Sequence, residues 1–160
     1  MVKVLFVCLG NICRSPTAHG VFVHQVLEAG LSDWIEVDSA GTSGWHEGAK
    51  PDKRSMKEAA RQGYDLSFIR SRQVRDSDFD EFDYVLAMDE SNLSDLLAIC
   101  PQDHAHKVQL FLSFGESLEH EVPDPYYGGE QGFTHVLSLV EQGGQSLLQH
   151  IQNHAQSDSR

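Results

Sequence analysis

An α/β fold with a mainly parallel sheet follows from three features of the sequence. Short apolar runs rich in branched residues alternate with longer helical stretches along the chain. Those runs are nearly continuous rather than alternating, the pattern of strands covered on both faces. Glycine, proline and capping residues stand at the junctions, and no linker, internal repeat or low-complexity segment divides the 160 residues. A chain of this length buries a real core in one domain, expected over 1–155, with 156–160 as a polar tail.

"KVLFV" (3–7) is the first strand. "SPTAHGVFVHQVLEAG" then reads as a helix, with Ser15 as N-cap, Pro16 at the first helical position and Gly30 at the exit. "WIEVDSAGT" (34–42) is the second strand, "SGWHEGAKP" a loop, and "DKRSMKEAARQG" (52–63) a helix closed by Gly63. "DSDFDEFD" (76–83) is expected to be a solvated acidic face able to attract a basic partner. "YVLAMD" (84–89) is the third strand, "ESNLSDLLAIC" a helix stopped by Pro101, and "KVQLFLSF" (107–114) the fourth strand. A loop containing "VPDPYYGGEQGF" leads into a last helix over roughly 133–153, where Val136, Leu137, Val140, Leu147, Leu148 and Ile151 recur at core spacing.

No run approaches the roughly 18 apolar residues of a membrane span. The N-terminal run "MVKVLFVC" is too short for a secretory signal and is better read as a strand, so the cytoplasm is the expected location. A net charge of -12 argues against a nucleic-acid partner, because the phosphate backbone calls for a basic footprint. It also means that a phosphorylated substrate must be drawn in by a local site against the overall field.

Two of the three cysteines fall in one stretch, "VCLGNICRSPTA" (7–18). Three cysteines form no closed set of disulfides, and a reducing cytoplasm keeps them as thiols. Cys8 and Cys13 lack the close pairing of zinc ligands, Cys100 stands alone before Pro101, and the nine histidines are scattered, so no metal is expected. A reactive nucleophile is the reading left. Cys8 ends the first strand, at the edge of a parallel sheet where ligands bind.

The loop Leu9–Arg14 joins that strand to a helix. Backbone N–H groups of Leu9, Gly10, Asn11, Ile12 and Cys13 can converge as a nest, and the helix N-terminus adds positive charge. Gly10 is expected to permit a backbone shape closed to side chains, and Asn11 tolerates left-handed geometry. A phosphate fits such a concavity, and Arg14 supplies a planar fork for two of its oxygens. Cys8 would lie beneath, its thiolate favoured by the same donors and by the Ser15 hydroxyl, and set for in-line attack on phosphorus. The phosphocysteine so formed needs an acid for the leaving oxygen and a base for water, roles open to one carboxylic acid on a mobile loop. Asp124, between two prolines in "VPDPYYGG", is the candidate. Because Asp124 must be protonated while Cys8 is ionised, a bell-shaped rate profile peaking below neutral pH is expected.

These residues resemble the low-molecular-weight protein tyrosine phosphatases: "VCLGNICRSP", "VDSAGTSGW" and "VPDPYYGG" occur in the order found in that family. The resemblance implies a flavodoxin-like three-layer sandwich with a four-stranded parallel sheet flanked by helices, a phosphocysteine intermediate and no cofactor. It makes Cys8 the nucleophile, Arg14 the phosphate clamp, Ser15 the thiolate stabiliser and Asp124 the acid and base. It implies that Asn11 and Ser39 hydrogen-bond one another to support the loop, and that Trp45, Tyr126 and Tyr127 border the substrate pocket. A histidine usual in relatives before the "RQ" of "FIRSRQ" is replaced here by Ile69. Cys13 becomes a redox partner able to form a disulfide with Cys8 under peroxide. The implied partners are phosphotyrosine-bearing proteins, a bacterial tyrosine kinase among the candidates, with phosphate as product and inhibitor.

Three rivals fit less well, and a fourth, a flavin carrier conceivable on fold analogy alone, leaves Cys8 and Arg14 unexplained. An arsenate reductase needs further resolving cysteines, and only Cys100 lies beyond the loop. A protein-arginine phosphatase tends to carry threonine where this loop has the bulkier Ile12. A phosphate-binding module without turnover leaves the joint presence of Cys8, Arg14 and Asp124 unexplained.

Overall fold

The computed structural model describes residues 1–116, 118–126 and 128–158. Four strands, β1 (Val2–Cys8), β2 (Ile35–Gly41), β3 (Tyr84–Ala87) and β4 (Val108–Leu110), alternate with helices α1 (Arg14–Glu28), α2 (Lys53–Arg61), α3 (Asp76–Glu81), α4 (Glu90–Ile99) and α5 (Glu130–Asp158). The strands form one parallel sheet in the order β2-β1-β3-β4. After β1 the chain first adds β2 on one side and later β3 on the other, so the connections diverge beyond the carboxyl end of β1. That divergence opens the crevice in which ligands bind on such sheets. Cys8 is the last residue of β1 and stands in it.

The alternation along β1 divides the core in two. Val4, Phe6 and Cys8 point to the side of α1 and α5, where Phe6 packs edge-on against Phe22 and Phe111 at centroid distances of 5.7 and 5.1 Å. Leu5 and Val7 face the other side, against Phe79, Phe82, Leu96 and Val108. Each such buried side chain contributes about 1.5–3 kcal/mol of transfer free energy, and the strand that carries Cys8 is thereby held rigidly on both faces. No helix among the described residues is long and apolar enough to cross a membrane.

The structure departs from the sequence reading at four places. The fourth strand is only Val108–Leu110, and Phe111–Phe114 is a 3-10 helix whose Phe111 and Leu112 are buried against the α5 side of the core. Helix α5 begins at Glu130 and continues to Asp158, into the segment expected as a tail. Cys13, not Ser15, occupies the N-cap position of α1 and offers no side-chain cap, because Ser15 lies inside the first turn and is turned into the protein. The acidic segment is not simply a solvated face: it forms the short helix α3, with Asp78 and Phe79 buried. Its basic partner is internal, since Arg72 donates to both Asp78 oxygens at 2.9 and 3.1 Å.

Candidate active site

The loop between β1 and α1 is fastened from behind through its carbonyl groups. Cys8 O accepts from Thr42 N and Leu9 O from Ser43 N, both at 2.9 Å. Gly10 O accepts from Ser71 Oγ at 2.9 Å, and Ile12 O from Asp52 N at 2.7 Å. Cys13 O accepts from Thr17 Oγ1 at 2.7 Å. In a trans peptide the N–H points opposite to the C=O, so fastening the carbonyls outward turns the following amides toward the hollow of the loop. Asn11 makes the tight bend, with φ of 55°, the one positive φ of a non-glycine among the described residues. Gly10 has no left-handed backbone. Its lack of a side chain instead leaves room for His46, whose ring would stand 3.0 Å from an added Cβ.

Cys8 Sγ lies 3.1 Å from Ser15 Oγ. That hydroxyl accepts a hydrogen bond from Asn11 Nδ2 at 2.7 Å and can donate to Ala40 O at 3.3 Å. A hydroxyl has a single proton, and Asn11 already fills a lone pair. The Ser15 proton therefore turns either to the sulfur or to Ala40 O. The other end of Asn11, Oδ1, accepts from Arg72 N at 3.0 Å. Asn11 and Ser39 are thus not bonded to one another as expected. Ser39 Oγ is 2.9 Å from His19 Nδ1 instead, while Asn11 reaches Ser15 and the Arg72 amide. Ile69 is buried with Ala59 and Leu66, and the histidine that bonds Ser39 comes instead from α1.

Burial lowers the His19 pKa to about 4, with Asp38 opposing the shift and Arg72 reinforcing it. The ring is therefore neutral in the folded chain at pH 7, whereas in the unfolded chain it titrates near its ordinary value of about 6.5. Between these values the unfolded state binds the proton and the folded state does not. The His19 contribution to stability is then complete above about pH 6.5 and is lost as pH falls toward 4, by about 3 kcal/mol. In urea unfolding at pH 7 and pH 4, His19→Gln should narrow the stability difference by about 2 kcal/mol or more. An unchanged difference would remove His19 from the acid sensitivity.

Arg14 is buried beside this cluster, and its two terminal nitrogens serve different groups. Nη1 donates to Asp89 Oδ2 at 2.6 Å and to Val122 O at 3.1 Å, which uses both of its hydrogens. Nη2 lies 3.7 Å from Asp124 Oδ2. Burial works against the charge, but Cys8, Asp89 and Asp124 outweigh it and hold the guanidinium pKa above its ordinary value. Asp89 also caps α4, accepting from Asn92 N at 2.7 Å. Val122 is tied further, its N–H donating to Met88 O at 2.7 Å. The segment that carries Asp124 is therefore anchored one residue before Pro123, and Asp124 itself accepts from Tyr126 N at 3.0 Å.

These groups surround a pocket of about 150 Å³. Cys8, Leu9, Gly10, Ile12, Cys13 and Arg14 line its floor and sides, and Trp45, Asp124 and Tyr126 its mouth, joined by His46. Asn11, Ser15 and Ser39 are buried behind the floor. Tyr127 lies outside the described residues. Cys13 is buried, and burial with Asp52 nearby pushes its thiol up to about 12, so it stays protonated. Cys100 packs in the cluster on the opposite face of the sheet from Cys8. Among the described residues no group of histidine, cysteine and carboxylate side chains is placed to hold a metal ion.

Asp89, His19 and His46 escaped the sequence reading. Asp89 carried a signal, an acidic cap at the carboxyl end of a buried strand, the edge that Cys8 shares. His19 stood four residues after Ser15, on the same inner face of α1. His46 had no signal beyond its neighbour Trp45.

Residues 3–157 match the family described as low molecular weight phosphotyrosine protein phosphatase. The chain is 44% identical over 150 residues to the low molecular weight protein-tyrosine-phosphatase of Streptomyces coelicolor, covering 91% of each. It is 39% identical over 157 residues to YfkJ of Bacillus subtilis, a low molecular weight protein-tyrosine-phosphatase, covering 98% of this chain and 99% of that one. The crystal structure of YfkJ superposes with a TM-score of 0.91 over 96% of each chain. A protein tyrosine phosphatase from Entamoeba histolytica, crystallised with Hepes in its active site, superposes with a TM-score of 0.94 at 40% identity, covering 97% of this chain and 99% of the other.

Proposed function

The chain belongs to the low molecular weight phosphotyrosine protein phosphatases, and on that footing we propose that Cys8, Arg14, Ser15 and Asp124 carry its hydrolysis of phosphotyrosine. The reaction passes through a phosphocysteine and takes its chemistry from side chains and backbone. The phosphate sits over Cys8 Sγ with its oxygens on the loop amides and on the Arg14 edge formed by Nε and Nη2, since Nη1 is occupied by Asp89 and Val122. The thiolate attacks phosphorus, the bond to the tyrosine oxygen breaks, and Asp124 gives that oxygen its proton. Water then attacks phosphorus while the Asp124 carboxylate takes a water proton, the P–S bond breaks, and phosphate leaves. The Ser15 proton turns to the sulfur when the thiolate is present and to Ala40 O when the sulfur is esterified. Free phosphate fits the same cradle, so it inhibits as well as leaving as product.

Trp45 and Tyr126 form the walls against which the tyrosine ring stacks, an interaction of about 0.5–1.5 kcal/mol, and Ile12 narrows the pocket between them. Under peroxide, the Cys8 thiolate is oxidised to a sulfenic acid and hydroxide leaves. The Cys13 thiol then displaces water to form the disulfide. With its thiol held protonated, Cys13 does not compete with Cys8 for phosphorus, and its proton passes to the departing sulfenic oxygen only as the disulfide forms.

The observation that carries this reading is Cys8 Sγ beneath a loop whose carbonyls are fastened away from it, with Arg14 and Asp124 at the rim. It is tested by rapid mixing of enzyme with p-nitrophenyl phosphate in the absence of added metal. The expected result is a burst of nitrophenol approaching one equivalent of enzyme, with the phosphoryl group recovered on Cys8. Turnover without phosphoryl transfer to the protein would mean direct attack by water and would overturn the assignment.

A further inference from the structure

Residues 50–61 carry five of the chain's twelve Lys and Arg but only two of its twenty-four Asp and Glu. Lys53, Lys57 and Arg61 follow one another at four-residue spacing on α2, with Arg54 beside them, and all four are exposed, as is Lys50. The two carboxylates of the segment are drawn down under the helix. Asp52 clamps Arg54 through Nε and Nη2 at 3.1 and 3.0 Å, and Glu58 pairs with Arg61 at 3.1 Å, their side chains being 13% and 10% exposed. They orient the arginines and leave Lys50, Lys53 and Lys57 without an ion pair among the described residues.

Arg54, Lys57 and Arg61 line one wall of a groove of about 310 Å³, and Glu130 and Phe133 at the start of α5 line the other. Arg54 stands between this groove and the active-site pocket. The Arg54 guanidinium lies over the Phe133 ring at 4.6 Å and over the Tyr126 ring at 5.4 Å, and Tyr126 is a wall of that pocket.

We propose that the groove receives an acidic stretch of the phosphoprotein substrate while the neighbouring phosphotyrosine occupies the pocket over Cys8. The proposal rests on the phosphatase reading above. In a chain of net charge -12, a peptide bearing carboxylates is repelled over most of the surface, and α2 offers it a positive face at the mouth of the site. Lys53 and Lys57 pair with its Asp and Glu side chains, Lys50 extends the reach, and the buried Phe133 supports the Arg54 guanidinium from below. Glu130 repels carboxylates from the far wall and so keeps the acidic side chains on the α2 side. Exposed ion pairs are individually weak, so recognition depends on several carboxylates together and gives way to salt.

The test compares two phosphotyrosine peptides of equal length, one with Asp and Glu flanking the phosphotyrosine and the other with Asn and Gln. At low ionic strength the acidic peptide should have a roughly tenfold higher kcat/KM, carried by KM. At about 0.5 M salt the difference should fall to about twofold or less. The Lys53→Gln/Lys57→Gln double variant should lose the preference while turning over p-nitrophenyl phosphate at the wild-type rate. Equal kcat/KM for the two peptides in the wild type, or a preference that survives in the double variant, overturns the proposal while the phosphatase reading stands. Failure to turn over p-nitrophenyl phosphate or either peptide overturns the phosphatase reading, and the docking proposal with it.

Discussion

Cys8→Ser is expected to lower kcat on a phosphotyrosine peptide by about 10⁴-fold or more. A serine hydroxyl is not ionised in this setting, and no other group among those lining the floor of the pocket takes over the attack: the Cys13 thiol is held protonated by burial and Asp52. Binding of the peptide should survive. The loop is held by Thr42, Ser43, Asp52 and Ser71 through its carbonyls, none of which depends on the sulfur. Removing a negative thiolate from beneath a phosphate dianion should even tighten the complex. The check is kcat beside a calorimetric Kd for the same peptide. Residual turnover above about a hundredth of wild type would take the nucleophile's role from Cys8.

Asp124→Asn is expected to cost about 10²–10³ in kcat on a phosphotyrosine peptide, the usual scale for loss of a general acid and base. The amide keeps an acceptor for Tyr126 N, so the segment should hold its shape. On p-nitrophenyl phosphate the loss should distribute differently. Nitrophenolate leaves without a proton, so the first step proceeds, while hydrolysis of the phosphocysteine lacks its base. A full burst followed by slow turnover, with phosphoenzyme accumulating, is the expected signature. An equal loss for good and poor leaving groups, with no phosphoenzyme accumulating, would assign the acid to another residue.

The order of strands and helices could be read from the sequence because buried parallel strands are apolar throughout and helix ends carry their own residue types. The end of β4 could not, since "KVQLFLSF" is apolar without a period, and only packing against α5 decides where the strand stops. Ser15 shows a second limit. A serine at a helix start is chemically equipped either to cap or to turn inward, and the choice rests on Asn11 and Ala40, which the fold brings to it. Within the site, the residues of the loop were legible because seven consecutive positions, Cys8 to Arg14, build it. Asp89 and His19 act across 75 and 20 residues of sequence, on Arg14 and Ser39, and no local pattern announces such a pairing. The expected Asn11–Ser39 bond failed for the same reason: which of several buried polar groups pair is settled by packing, not by residue type.

Val122 gives Asp124 a thermodynamic advantage that its exposure conceals. The backbone two residues before it is held at both the N–H and the C=O, by Met88 and by Arg14, and Pro123 restricts the one link between. With Asp124 as the proposed acid, much of the entropy of bringing it to the leaving oxygen is lost at folding and not again at each turnover. For well-oriented groups the equivalent concentration is on the order of 10⁵–10⁸ M, far beyond any buffer acid. One guanidinium secures this tether with Nη1, and in the proposed reaction its other edge takes the phosphate. In that reaction occupancy of the cradle and placement of the acid are linked reciprocally: whatever steadies Arg14 also steadies Val122 and the segment that carries Asp124.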